Sequence, residues 1–352
     1  MEQRLTKPGY RLAMLALCVA VVVVLLGAYT RLTHAGLGCP DWPGCYGFIA
    51  VPATDAQLAH AEAAFPHAPV EADKGWNEMI HRYFAGSLGL LILGLAVQAL
   101  RLRKHPAQPL KLPLLLLGVV ILQAAFGMWT VTLKLWPQVV TAHLLGGFTT
   151  LALLFLLCLR LSGRLSVRRY QPALRLLASL ALVALIGQIA LGGWVSSNYA
   201  AVACADVPTC HGEWWPAMDF ANGFHLTQHI GPNYLGGQLD SDARTAIQVS
   251  HRLGAVVVSL LLGLLGWRLW QVQLRGLATL LLLALLLQVS LGVSNIVLQL
   301  PLAVAVAHNA GAALLLLCLV LINFCLRAPP SPLNESAVAS RSVSQQAAAS
   351  GH

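Results

Sequence analysis

Eight apolar runs of about 20 residues each leave this chain few ways to fold. They lie at roughly 11–31, 80–100, 112–132, 138–159, 174–196, 246–268, 276–298 and 301–326. Each is long enough to cross about 30 Å of hydrocarbon as a helix, so the expected fold is an all-α polytopic membrane protein with eight transmembrane helices. The composition agrees, with 57% of residues hydrophobic and only 10% charged, against about a quarter charged in soluble domains. Arg4, Lys7 and Arg11 precede the first run, but no small-residue cleavage site accompanies it and more spans follow. It reads as a retained helix and not as a signal peptide.

Orientation follows from the loops. With the amino terminus inside, inner segments hold 16 of the 22 Lys and Arg residues, and outer segments hold 11 of the 13 acids. This asymmetry puts both termini in the cytoplasm and accounts for the net charge of +9 without nucleic acid. Trp76, Trp129, Trp136 and Trp194 fall near the outer boundary and Trp267 and Trp270 near the inner one, as in an aromatic belt. Residues 328–352, poor in large apolar groups, are expected to form a disordered cytoplasmic tail.

The chain also repeats itself. An offset of 165 residues lays GAYTRLTHAGLGCPDWPGC over GGWVSSNYAAVACADVPTC, so that Cys39 meets Cys204 and Cys45 meets Cys210 within a shared C-x-D-x-P-x-C. Gln123, Gly127 and His143 fall on Gln288, Gly292 and His308 at the same offset, while His81 and Arg82 match His251 and Arg252 at 170. Four spans per half is an even number, so both halves enter from the same side. The expectation is a parallel tandem repeat: two pseudo-symmetric four-helix bundles side by side, residues 1–160 and 161–327.

The second, fourth, sixth and eighth spans run from outside to inside, and each carries one histidine within its first two turns: His81, His143, His251 and His308. The four imidazoles therefore lie at one level near the outer face. A single intramembrane histidine serves as well for helix glue as for function. Four at repeated positions, two in each bundle, are what bis-histidine haem ligation requires. A zinc or copper site also needs a carboxylate or thiolate, which at most one half supplies.

Arg82 and Arg252, each next to a histidine at the outer edge, have the charge to pair with haem propionates; the competing reading is an interfacial arginine reaching for water. Cys39 with Cys45, and Cys204 with Cys210, read as two disulfides stiffening the outer loops, with a redox-active first pair as the alternative. Cys18, Cys158, Cys318 and Cys325 fall within spans and read as packing thiols. Gln123 with Gly127, and Gln288 with Gly292, share helix faces, either to let a ring approach or to pack helices.

The halves differ chemically at one place. Three residues before its histidine the first half has Glu78, and the second has Gln248. That spacing puts the side chain on the histidine's face of a helix, and only the first half can move a proton there. An acid at the membrane edge is costly unless something uses it. Glu78 is thus read as the catalytic acid-base of a reactive first bundle, with the second bundle carrying electrons. The competing reading is a surface pair with Arg82 or Lys74.

Together the cysteine loops, the E-x-x-H-R of Glu78, His81 and Arg82, and the single histidines of spans four, six and eight resemble the haem A synthase family over residues 11–326. The resemblance implies that the substrate is haem O, whose position 8 methyl is converted by two successive hydroxylations to the formyl group of haem A for cytochrome oxidase. It implies a substrate haem on His81 and His143, a permanent haem b on His251 and His308, and Glu78 as the family's acidic residue. It implies the bacterial inner membrane, with the haem sites near the periplasmic side. Expected partners are the lipid bilayer, an unidentified electron-transfer partner and, because haem O is scarce and lipid-soluble, the haem O synthase (protohaem farnesyltransferase) that makes it. Two outer loops, residues 46–75 and the stretch holding HGEWWPAMDFANGFHLTQHIGPNYLGG, are longer than the core design needs. The competing function is a quinol-linked dihaem b-type electron-transfer protein. A haem exporter is a third reading, and no G-x-x-x-x-G-K phosphate loop supports it.

Overall fold

The computed structural model describes residues 7–105, 108–163 and 171–327, and these are helical throughout apart from their connections. The tail expected over 328–352 lies outside the described residues. Among the described residues eight helices are long and apolar enough to cross a membrane: α1 (Tyr10–Leu32), α3 (Ala72–Arg101), α4 (Lys111–Thr132), α5 (Pro137–Ser162), α6 (Pro172–Ser197), α8 (Ser241–Gln271), α9 (Arg275–Val297) and α10 (Leu302–Cys325). Two shorter helices, α2 (Asp55–Ala64) and α7 (Phe220–Gly223), lie in the long connections after α1 and α6.

Hydropathy locates the helices but not their polar ends. α3 begins at Ala72 and α8 at Ser241, ahead of the expected 80 and 246. The added turns are polar, and the start of α8 is fixed by Asp240, whose carboxylate accepts the Ala243 N–H at 2.9 Å. His81 and His251 consequently sit about three turns into their helices, deeper than the first two turns. His143 and His308 keep the expected depth, because α5 opens at Pro137 and α10 at Leu302, each within one residue of its expected start.

Helix contacts fall into two closed sets. α1 packs on α3 and α5, and α4 joins α3 to α5; α6 packs on α8 and α10, and α9 joins α8 to α10. The sets meet through α1 on α10, α5 on α6 and α5 on α10. The apolar stretches of α5 and α10 are accordingly 44% buried, against 11% in α4 and 17% in α9, which puts the former at the centre and the latter at the rim. Small residues Ala13, Ala16 and Ala20 let α1 approach its neighbours, and Leu154, Leu157, Leu262, Leu265 and Leu319 fill one continuous core. Large apolar side chains such as Leu90, Ile121, Val183 and Leu260 point outward, an arrangement that lipid satisfies and water would not.

The long connections fold back onto the helices. In the first, Thr54 and Gln57 form a reciprocal cap that starts α2, and Ala61 packs into a small cluster with Cys39, Cys45, Tyr46, Val51 and Met79. The second reaches across to the other set. Trp136 Nε1 donates to the Gln228 carbonyl at 3.1 Å, Gln138 Nε2 to Leu226 at 3.0 Å, and the Tyr234 N–H to Lys134 at 3.0 Å. Arg31, at the end of α1, donates to Tyr199 Oη at 2.9 Å and to the Ser196 carbonyl at 2.6 Å.

Candidate functional site

Each of the four histidines rests its ring on a glycine of the neighbouring helix. A Cβ added at Gly27 on α1 would stand 3.0 Å from His81 Cε1. At Gly127 on α4 it would be 3.5 Å from His143 Cε1, at Gly192 on α6 3.2 Å from His251 Cε1, and at Gly292 on α9 3.1 Å from His308 Cε1. A side chain at Gly27, Gly192 or Gly292 would crowd the imidazole, and one at Gly127 would just touch it, so glycine fixes how far the ring can lean back. His81 and His143 belong to the first set of helices, on α3 and α5, and His251 and His308 to the second, on α8 and α10. The Nδ1 atoms of His81, His143 and His308 are buried without a hydrogen-bond partner. Gln188 Nε2 lies 3.0 Å from His251 Nδ1, and Gln288 Nε2 lies 3.4 Å from His308 Nε2.

The two histidines of each set, each ring braced from behind by a glycine, would fit a metal bound through two imidazole nitrogens, with a macrocycle supplying the rest of the coordination. Among the described residues no group of three or more His, Cys, Asp or Glu side chains is placed to hold a metal ion by itself. The unpartnered Nδ1 atoms and the glycine-lined rings therefore fit haem, and they do not fit a zinc or copper site.

Glu78 is buried at 5% exposure, and so is Gln248 at the matching place in the second set. Glu78 Oε2 accepts the Cys39 N–H at 2.9 Å, and Oε1 pairs with Arg82 Nη2 at 2.5 Å. Lys74 is engaged elsewhere, 2.7 Å from Glu71. The pair with Arg82 exists, but it is interior and not superficial. Arg82 Nη1 also donates to the carbonyls of Asp41 at 3.0 Å, Pro43 at 3.3 Å and Gly44. Arg252 does the same for the second loop, donating to Thr209 at 2.8 Å and Cys204 at 2.9 Å while its Nε stays buried and unpartnered. Neither arginine simply reaches for water; each ties its cysteine loop to the helix that carries a histidine.

Those loops are built alike. Cys39–Cys45 and Cys204–Cys210 are disulfides, with sulfurs 2.04 and 2.05 Å apart. Inside the first, Asp41 accepts the N–H groups of Tyr46 at 2.6 Å and Gly47 at 2.7 Å. Inside the second, Asp206 accepts from Thr209 Oγ1 at 2.6 Å, His211 N–H at 2.8 Å and Gly212 N–H at 2.9 Å. The Thr209 hydroxyl, followed by the Gly212 and His211 amides, holds the Asp206 carboxyl down at about 2. Both turns need the positive φ of Gly47 and Gly212, at 81° and 78°. Beside the first loop His34 stacks on Tyr199 at 5.5 Å, and burial, then the charges of Arg31 and Lys74, hold its imidazole below the usual range.

The structure thus gathers Glu78, His81 and Arg82 with the first disulfide loop at one end of the first set, which also carries His143, and it gathers Arg252 and His251 with the second loop in the set that also carries His308. Sequence reading missed Gly27, Gly192 and Gln188. The repeat offset already laid Gly27 on Gly192, and Gln188 stands four residues before Gly192, as Gln123 does before Gly127.

Residues 10–320 match a family model described as cytochrome oxidase assembly protein. A haem A synthase of Shewanella oneidensis is 52% identical over 316 residues, covering 89% of this chain and 94% of that protein. Haem A synthases of Chelativorans sp. and Mesorhizobium japonicum are 32% and 29% identical, each over 85% of this chain.

Proposed function

The chain belongs to the cytochrome oxidase assembly protein family, and from that premise we propose that it is a haem A synthase, an oxidoreductase acting on haem O. In this reading the position 8 methyl of haem O is taken by two successive hydroxylations to the formyl group of haem A. The observation that carries it is the pairing of four glycine-braced imidazoles with an acid at one pair alone.

The reading divides the chain into two pseudo-symmetric four-helix bundles, residues 1–160 and 161–327, which the two closed sets of helix contacts support. His81 and His143 would hold the iron of the substrate haem, and His251 and His308 would hold that of a resident haem b. When bound, the haems supply the redox chemistry. Glu78 lies one turn from His81 and is fixed by the Cys39 N–H and Arg82, so its carboxylate holds or moves a proton at a set position. Gln248 has no proton to move at the corresponding atom, which suits a bundle that only passes electrons. Arg82 and Arg252 clamp the loops over the histidines, and the unpartnered Arg252 Nε leaves a donor for a propionate.

Eight apolar helices suit a multi-pass protein of the bacterial inner membrane, with both termini cytoplasmic and the haem sites at the periplasmic side. A haem O synthase and an electron-transfer partner complete the reaction's supply and oxidation. The test is expression in a host that makes haem O but no haem A, followed by extraction and chromatography of the haems. Haem A is the expected product. Haem b alone, despite ample haem O, would favour the dihaem electron-transfer protein.

A further inference from the structure

The four histidine-bearing seams are not equivalent. In three of them the helix that supplies the glycine also supplies a glutamine one turn away, and this glutamine lies on a second glycine three residues after the histidine. Gln123 covers Gly146, Gln188 covers Gly254 and Gln288 covers Gly311, so closely that a Cβ on any of these glycines would fall onto the amide. The rule is Q-x-x-x-G against H-x-x-G. In the α1–α3 seam the same positions hold Val23 and Phe84, so that V-x-x-x-G faces H-x-x-F.

We propose that this exception makes His81 the exchangeable axial ligand, and that the α1–α3 seam is where the substrate haem enters and leaves. The inference rests on the haem reading above. A glutamine amide offers both a donor and an acceptor to an imidazole beside it. Gln188 already meets His251 Nδ1 at 3.0 Å and also donates to the His251 carbonyl at 2.9 Å, bracing ring and helix together. Gln288 Nε2 lies 3.4 Å from His308 Nε2, so an amide faces that ring as well. Groups of this kind orient a ligating histidine and raise its basicity, and their loss costs about 10–100-fold in metal affinity. Val23 offers His81 no such side chain. Phe84 puts a ring, 40% exposed, where the other three seams close a backbone over an amide. The α1–α3 seam is therefore the one of the four with no side-chain amide beside its histidine, and it lies next to Glu78, where a substrate must come and go.

The test loads purified protein with protohaem at both pairs and follows haem capture by excess apomyoglobin, together with carbon monoxide binding to the reduced form. Two phases of loss are expected, the fast one at least tenfold faster and absent from His81→Ala. Carbon monoxide should bind only in proportion to the fast phase. Installing the contact with Val23→Gln and Phe84→Gly should slow the fast phase about tenfold or more. Removing it with Gln188→Val should quicken the slow phase by a similar factor, which tests the idea even if the double variant misfolds. A single rate for both haems, or an unchanged slow phase in Gln188→Val, overturns the assignment of the seam. Failure to take up protohaem at either pair would instead overturn the haem reading itself.

Discussion

Replacing Glu78 by Gln makes the first site chemically like the second, and the structure sets the size of the effect on both stability and turnover. The carboxylate accepts two hydrogen bonds, from the Cys39 N–H at 2.9 Å and Arg82 Nη2 at 2.5 Å. Glutamine keeps one acceptor oxygen and turns an NH2 group toward one donor, so about 1–3 kcal/mol should be lost. The loss stays well short of unfolding for two reasons. Arg82 retains the carbonyls of Asp41, Pro43 and Gly44, and a buried Gln248 already stands one turn before Arg252 on α8, where Arg252 ties down a loop of the same design. Turnover should fall far more, by about 10²–10⁴-fold, the usual contribution of a positioned acid-base group. The assay is haem A formed per unit time in membranes containing haem O, with haem b content and thermal unfolding measured on the same preparation. Turnover within about twofold of the parent, at equal haem content, would remove Glu78 from the mechanism. Equal losses of turnover and haem content would make it a structural residue.

Other expectations follow from the same contacts. Gly192→Val should push His251 aside and deplete haem b at least tenfold while leaving the first pair able to take haem, and Gly27→Val should do the reverse; optical titration with haem distinguishes them. Arg31→Ala removes donors to Tyr199 Oη and the Ser196 carbonyl, and should lower stability by about 1–3 kcal/mol in thermal unfolding without loss of haem. The Asp206 carboxyl sits at about 2 in the folded loop against an ordinary 3.8, so its contribution is present above 3.8 and is lost as pH falls toward 2. Exchange of the His211 and Gly212 amides should quicken over that window, and in Asp206→Asn it should already be fast at pH 5.

Most of the helical frame was legible because lipid imposes a simple rule: a run of about 20 apolar residues is a helix. The rule fails at polar ends, which is why α3 and α8 start earlier than their hydropathy and carry His81 and His251 deeper. It also passes over α2, although Thr54 and Gln57 are a sequence-level start signal and could have revealed it. The histidines, Glu78 and the disulfides were visible through the repeat. The loop clamps of Arg82 and Arg252 were not, because their partners are backbone carbonyls, which every residue has. Gln188 falls on Val23 at the 165-residue offset, so the repeat does not mark it. α4, α6 and α9 each carry Q-x-x-x-G, and α1, with V-x-x-x-G, is the departure.

The central claim is that one pair of histidines serves the substrate and the other a resident haem. The most direct measurement extracts and chromatographs the haems of His81→Ala and His251→Ala proteins purified from a host making haem O. His81→Ala should keep haem b and form no haem A, and His251→Ala should lose haem b. Haem b lost from His81→Ala but kept in His251→Ala, or haem A formed by His81→Ala, would contradict the division.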